Sequence, residues 1–201
     1  MNRLARDAHR RQGFDFTASM RRLCNDLCTR LEPLAHVDVD RVAIRFCQAR
    51  KRVSHGLQAS LTPLRFEHGE PFRQRRGHTW TIQRLYDSQG REMLYLLSFY
   101  LPRFLDRSFA EKLATVVHEL WHIGPRCDGD LRRHPGRCYA HTHSQMEYDA
   151  QMQRLAETWL SLDPPSETYE FLQFDFRQLA ARHGGIVGQS IPTPKLVAVR
   201  P

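Results

Sequence analysis

The run MLYLLSFY, residues 93–100, is the most apolar stretch of the chain, and an equally apolar but helical pattern, FAEKLATVVHELWHI, follows it closely. A strand this apolar needs cover on both faces, which puts it at the centre of a sheet. Pro102 closes the run. Ser108 and Glu111 then have capping-box spacing and open a helix over residues 109–123, which Gly124-Pro125 ends. Leu113, Val116, Val117, Leu120 and Ile123 make this helix a core element. A buried strand followed by a buried helix predicts an α+β domain.

The remaining patterns extend that plan. Residues 17–34 repeat apolar positions at helical spacing, with Pro33 near the end. Val42, Ile44 and Phe46 share one face of a strand over 40–47, and Leu57, Ala59 and Leu61 share one over 56–62. Pro63 marks the second as ending there or lying at an edge. Residues 78–86 read as a further strand before the turn DSQG. The expectation is a small, mostly antiparallel sheet of roughly three to five strands, packed against the 109–123 helix. Further C-terminal helices are expected over 144–160 and from Asp163-Pro164-Pro165 to His183, where Gly184-Gly185 ends the last. Residues 1–16 read as a basic flexible extension, 17–183 as a single domain, and 184–201 as an irregular tail with at most one short strand.

A chain of 201 residues with 41% hydrophobic residues has enough apolar material for one core. The formal net charge of +8 comes almost wholly from arginine, since lysine occurs only at positions 51, 112 and 195. That balance permits contact with nucleic acid or acidic partners without establishing either. No stretch approaches the roughly 20 apolar residues that span a bilayer, and no secretory leader is seen, so no membrane role is expected. Cys24, Cys28, Cys47, Cys127 and Cys138 form no CxxC pair. They read as free thiols in a reducing cytoplasm.

The chemistry concentrates in the 109–123 helix. His118 and His122 are four apart and share a face, so their imidazoles can approach one tetrahedral ion. Glu119 lies about 100° round the axis, badly placed as a ligand but well placed to take a proton from a metal-bound water. The expected ion is Zn2+, with Glu119 as general base for peptide-bond hydrolysis. A third ligand is expected from the residues that follow. His141 is preferred; His143, Asp128, Glu147 and Asp149 stay open, and Asp130 and His134 are further candidates. Tyr139 is the candidate hydroxyl for an oxyanion, with Tyr148 as the alternative. Arg132, Arg133 and Arg137 lie among Asp128 and Asp130, and ion pairs between them would hold the loop rigid.

The stretch HELWHIGPRCDGDLRRHPGRCYAH, residues 118–141, resembles a group of small bacterial and phage zinc metallopeptidases of minimal zincin form. The resemblance covers about residues 90–150. It implies a zincin-like fold, a zinc ion on His118, His122 and His141, Glu119 as base, and a peptide or protein substrate. It also implies an edge strand beside the active-site helix, for which residues 93–100 or 78–86 are the candidates. A more distant similarity is to the SprT-like proteases. The chain departs from the metzincin pattern HExxHxxGxxH: Gly124 comes one place early, and Asp128 stands where histidine is wanted. It also lacks a cysteine-rich zinc ribbon. The alternative function is a non-catalytic, zinc-stabilised domain that binds a protein or nucleic-acid partner.

Overall fold

A short strand, β1 (Phe14–Asp15), leads directly into α1 (Phe16–Arg30), and the Asp15 carboxylate caps the helix by accepting the Ala18 N–H at 2.9 Å. Phe16, Met20, Leu23 and Leu27 fall on one face of α1 and are fully buried. The structure is a computed structural model and describes residues 13–49, 56–133 and 145–199. The expected basic extension therefore lies outside the described residues up to position 12, and Phe14–Asp15 pair in parallel with Ile186–Val187.

The strands that follow are β2 (Val42–Gln48), β3 (Ala59–Pro63), β4 (Arg73–Arg75), β5 (His78–Ile82), β6 (Leu85–Tyr86), β7 (Glu92–Met93) and β8 (Tyr95–Leu101). The helices after them are α2 (Phe109–Trp121), α3 (Gln145–Ser161), α4 (Ser166–Tyr169) and α5 (Phe176–His183). Two short strands, β9 (Ile186–Val187) and β10 (Leu196–Ala198), complete the order. The principal sheet has the order β2-β8-β3, with β8 central, parallel to β2 and antiparallel to β3.

The expected single, mostly antiparallel, zincin-like sheet is corrected here. Among the described residues there are four small sheets, and the one beside α2 is mixed. The physical reason is that the apolar run 95–101 takes the centre with a partner on each side, and the long stretch after 42–48 supplies the crossover that its parallel pairing with 95–101 needs. The strand expected over 78–86 divides at Gln83-Arg84 into β5 and β6, which join different sheets. The last helix is also divided. A 3-10 turn at Glu170–Gln173 buries Phe171 and Leu172, and α5 restarts on an Asp175/Gln178 capping box.

Alternation in β2 and β8 builds two layers. Val42, Ile44, Tyr95, Leu97 and Phe99 face the large core, shared with α1, α2 and α3. Ala43 and Leu96 face the other way, where Leu64, Met93, Ile82, Leu85 and Ile191 form a second cluster. Ser108 and Glu111 make the capping box expected at the start of α2. Among the described residues, no helix is long and apolar enough to cross a membrane.

Candidate functional site

His118 and His122 occupy successive turns at the C-terminal end of α2, with His122 as its C-cap. Their Nε2 atoms are 3.0 Å apart, the separation of a ring-to-ring hydrogen bond in which one imidazole donates and the other accepts. The rings are nearly perpendicular, at 81°. Tyr148 on α3 presents its ring to both, 5.0 Å from His118 edge-on and 6.4 Å from His122 in a stacked orientation. Tyr148 is buried, and burial followed by the nearby Glu119 charge pushes its hydroxyl pKa upward.

The expected zinc centre is corrected by the donor set. Among the described residues, no group of three or more His, Cys, Asp or Glu side chains comes together to hold a metal ion. Two imidazoles fall short of the three protein ligands that a catalytic zinc requires. Asp128 and Asp130, the acidic side chains that follow α2, are engaged elsewhere. Asp128 pairs with Arg126 at 2.8 Å. Asp130 accepts from the His68 and Leu131 backbone N–H groups and from the Arg133 guanidinium. Glu147 is exposed on α3, and Asp149 lines a cleft beside the histidines. His134, Cys138, Tyr139, His141 and His143 lie outside the described residues. The donor set overturns the zincin resemblance, the zinc metallopeptidase and metal-activated hydrolysis expected from it, and the zinc-stabilised alternative.

The expected loop pairing takes a definite form. Arg133 bridges Asp130 and Glu67, each at 3.0 Å. Arg132 lies over the Trp121 ring, 4.2 Å from its centroid, and donates to the Trp121 carbonyl. Tyr95, fully buried in β8, donates to the Asp130 carbonyl and accepts the Gly129 N–H. These bonds fix the chain that leaves His122.

Glu119 does not face open water as its position on the helix suggested. It is 7% exposed. Burial pushes its carboxyl up to about 7, opposed in part by a hydrogen bond from the Leu61 backbone N–H. That bond is possible because of the register of β3. Tyr100 donates to the Gln58 carbonyl and Leu64 to the Leu94 carbonyl, so residues 58, 60, 62 and 64 point their backbone groups at β8. Ala59 and Leu61 point theirs outward. The Leu57 carbonyl takes a guanidinium hydrogen bond from Arg103. The Ala59 N–H and C=O and the Leu61 C=O have no hydrogen-bond partner among the described residues.

This open edge borders a cleft of about 610 Å³ that runs along α2 to Glu119 and His118. Its α2 wall is built from Ala110, Ala114 and Thr115, whose small side chains leave the space open. Met152 and Gln153 of α3 form the opposite side. Sequence reasoning singled out His118, Glu119 and His122 and read 56–62 as a strand ending at Pro63 or lying at an edge, but did not place that edge beside the helix. The edge is β3, and neither of the two strands named for that place: 95–101 is central, and 78–82 belongs to another sheet. The signal was present in the alternation over 57–62 ending at Pro63, a residue suited to an edge.

Fold and site together define an α+β domain with a cleft between an edge strand and a buried helix. Comparison with family models, with curated proteins and with solved structures returns no match.

Proposed function

We propose that the cleft binds an extended polypeptide segment, which adds to the outer edge of β3 and lies along α2 with Glu119 and His118 at one end of its path. The observation that carries this is the outward register of Ala59 and Leu61 beside an open cleft. Strand addition takes its affinity from such main-chain groups and its selectivity from the side chains around them. From Ala110 to Glu119 the helix rises about 13 Å, a length that roughly four extended residues cover. Glu119 is the polar group such a chain meets. In its neutral form it can donate to a peptide carbonyl, and ionised it holds the Leu61 N–H. The proposal takes the site to work in the cytoplasm, which the free thiols of Cys24, Cys28, Cys47 and Cys127 support.

Selection of phage-displayed random peptides on the intact protein tests it, followed by titration of enriched peptides into 15N-labelled protein. The expected result is enrichment of peptides that shift the Ala59 and Leu61 amides and lose about tenfold or more in affinity, about 1.4 kcal/mol, on Ala114→Trp, which fills the cleft from a partly exposed position. Enriched peptides that bind Ala114→Trp as well as the parent, or a selection that enriches none, overturn the reading.

A further inference from the structure

The second three-stranded sheet carries a cluster of exposed arginines and has no part in the cleft. Residues 71–85, PFRQRRGHTWTIQRL, hold four arginines and no acidic residue, and β10 brings Lys195 beside them, again with no acid from Gly188 to Val199. Arg84 pairs with Glu92. Arg73, Arg75 and Arg76 are exposed, and none of their side chains has an ion-pair or hydrogen-bond partner among the described residues.

The hairpin sorts these residues by face. Register sets Arg73 opposite Trp80 and Arg75 opposite His78, so all four share one face. Ile82, on the same face, is anchored in the second core cluster. The opposite face is tied internally, by Gln74 to the Thr79 hydroxyl and by Thr81 to the Pro71 carbonyl. The ribbon is thus rooted in the core at Ile82 and cationic towards its tip. At the tip, Arg76 and Gly77 both have positive φ, 52° and 74°, as a two-residue hairpin turn of the primed kind requires. Asparagine or glycine is the usual residue at the first of these positions, yet here it holds a cation.

We propose that this ribbon grips the phosphate backbone of duplex DNA without reading its sequence. Arginine presents a planar fork of donors that matches phosphate oxygens. Arg73 and Arg75 are about 7 Å apart along one strand face, and Arg76 extends the line at the turn. A protein partner would have to present a matched carboxylate or carbonyl to each of these guanidiniums. A phosphate backbone meets them at the surface, and the gain comes from counterion release.

The test uses the full chain and a fluorescein-labelled duplex of about two helical turns, read by anisotropy between about 50 and 200 mM salt. Wild type is expected to bind with a salt slope that includes about −2.7 from three phosphate contacts. The variant R73Q/R75Q/R76Q should lose that part of the slope and bind about tenfold or more weakly at the low-salt end. The variant R154Q/R177Q/R182Q removes the same charge from α3 and α5 and should bind nearly as wild type does. Equal loss in both variants overturns the proposal, as does an unchanged slope in the ribbon variant. So does displacement of the duplex by phosphatidylserine vesicles at matched charge concentration, which would make a lipid surface the partner.

Discussion

At Glu119 the fold holds a carboxyl group whose ordinary pKa of 4.5 is pushed up to about 7, chiefly by burial. Between those two values the folded chain keeps a proton that the unfolded chain has released. The contribution of this group to stability is therefore full below about pH 4.5, falls as pH rises towards about 7, and is level above it, the loss being on the order of 3 kcal/mol. Glu119→Gln keeps the shape and removes the titration. Urea unfolding should find this variant more stable than wild type at about pH 8 and without the decline through the window. A decline that persists in Glu119→Gln would assign it to another group. The approach of His118 and His122 was legible from their spacing alone, because one helix carries both. The direction of Glu119 was not, since its partner is a backbone N–H on an edge strand far away in the chain. The Asp130–Arg133 pair was legible from the loop sequence, but the Arg126 partner of Asp128 and the His68 N–H on Asp130 are identified only by the folded loops.

Among the elements, α2 was the most legible, because its cap, its apolar face and its stop are all local. The last helix was the least. One continuous element was expected to His183, yet Phe171 and Leu172 must reach the core, and a straight helix from Ser166 does not deliver them there. The Asp175 and Gln178 pair that restarts α5 was visible in the sequence, but the break before it is a tertiary effect. Lys112 ties these two regions together. It is 1% exposed, and its ammonium donates to the Leu105 carbonyl before α2 and to the Phe174 carbonyl before α5, each at 2.9 Å. Burial lowers its pKa, with Asp175 and Asp106 opposing. Lys112→Met keeps the apolar stem and orphans both carbonyls, so it should cost about 2–4 kcal/mol. Denaturant unfolding measures this, and a loss under about 0.5 kcal/mol, the range of an ordinary surface substitution, would show that the two carbonyls find other partners.

Over the whole molecule, the largest gap between pattern and structure lies in the ends of the chain. The stretch from Ile186 onward looks irregular because its strands are too short to show a period, and their pairing is entirely non-local. Even so, β9 pairs with β1, and β10 forms one side of the sheet that bears the arginine hairpin. Between them the chain is held from both layers. Arg45 donates to the Ile191 carbonyl and to the Thr193 hydroxyl, the Gln189 N–H reaches the Thr17 hydroxyl, and Ile191 packs into the second cluster. A chain ending at Gly185 loses these bonds and bares one edge of β5, while the large core around α1, β8 and α2 loses the partly buried Ile186 and keeps its fully buried residues. At about 1 kcal/mol for each lost side-chain bond, partly offset by the ordering entropy the segment no longer loses, the net loss should be about 2 kcal/mol. For a chain of this size that is a fall of roughly 4–8 °C in Tm. Differential scanning calorimetry reads that shift, and limited trypsin digestion should cut at Arg73, Arg75 or Arg76 faster than in the full chain, since the hairpin has lost its third strand. Unchanged Tm with unchanged cleavage would mean that β10 contributes no stability to the hairpin; a collapse of the whole transition would mean that the two layers fold as one unit.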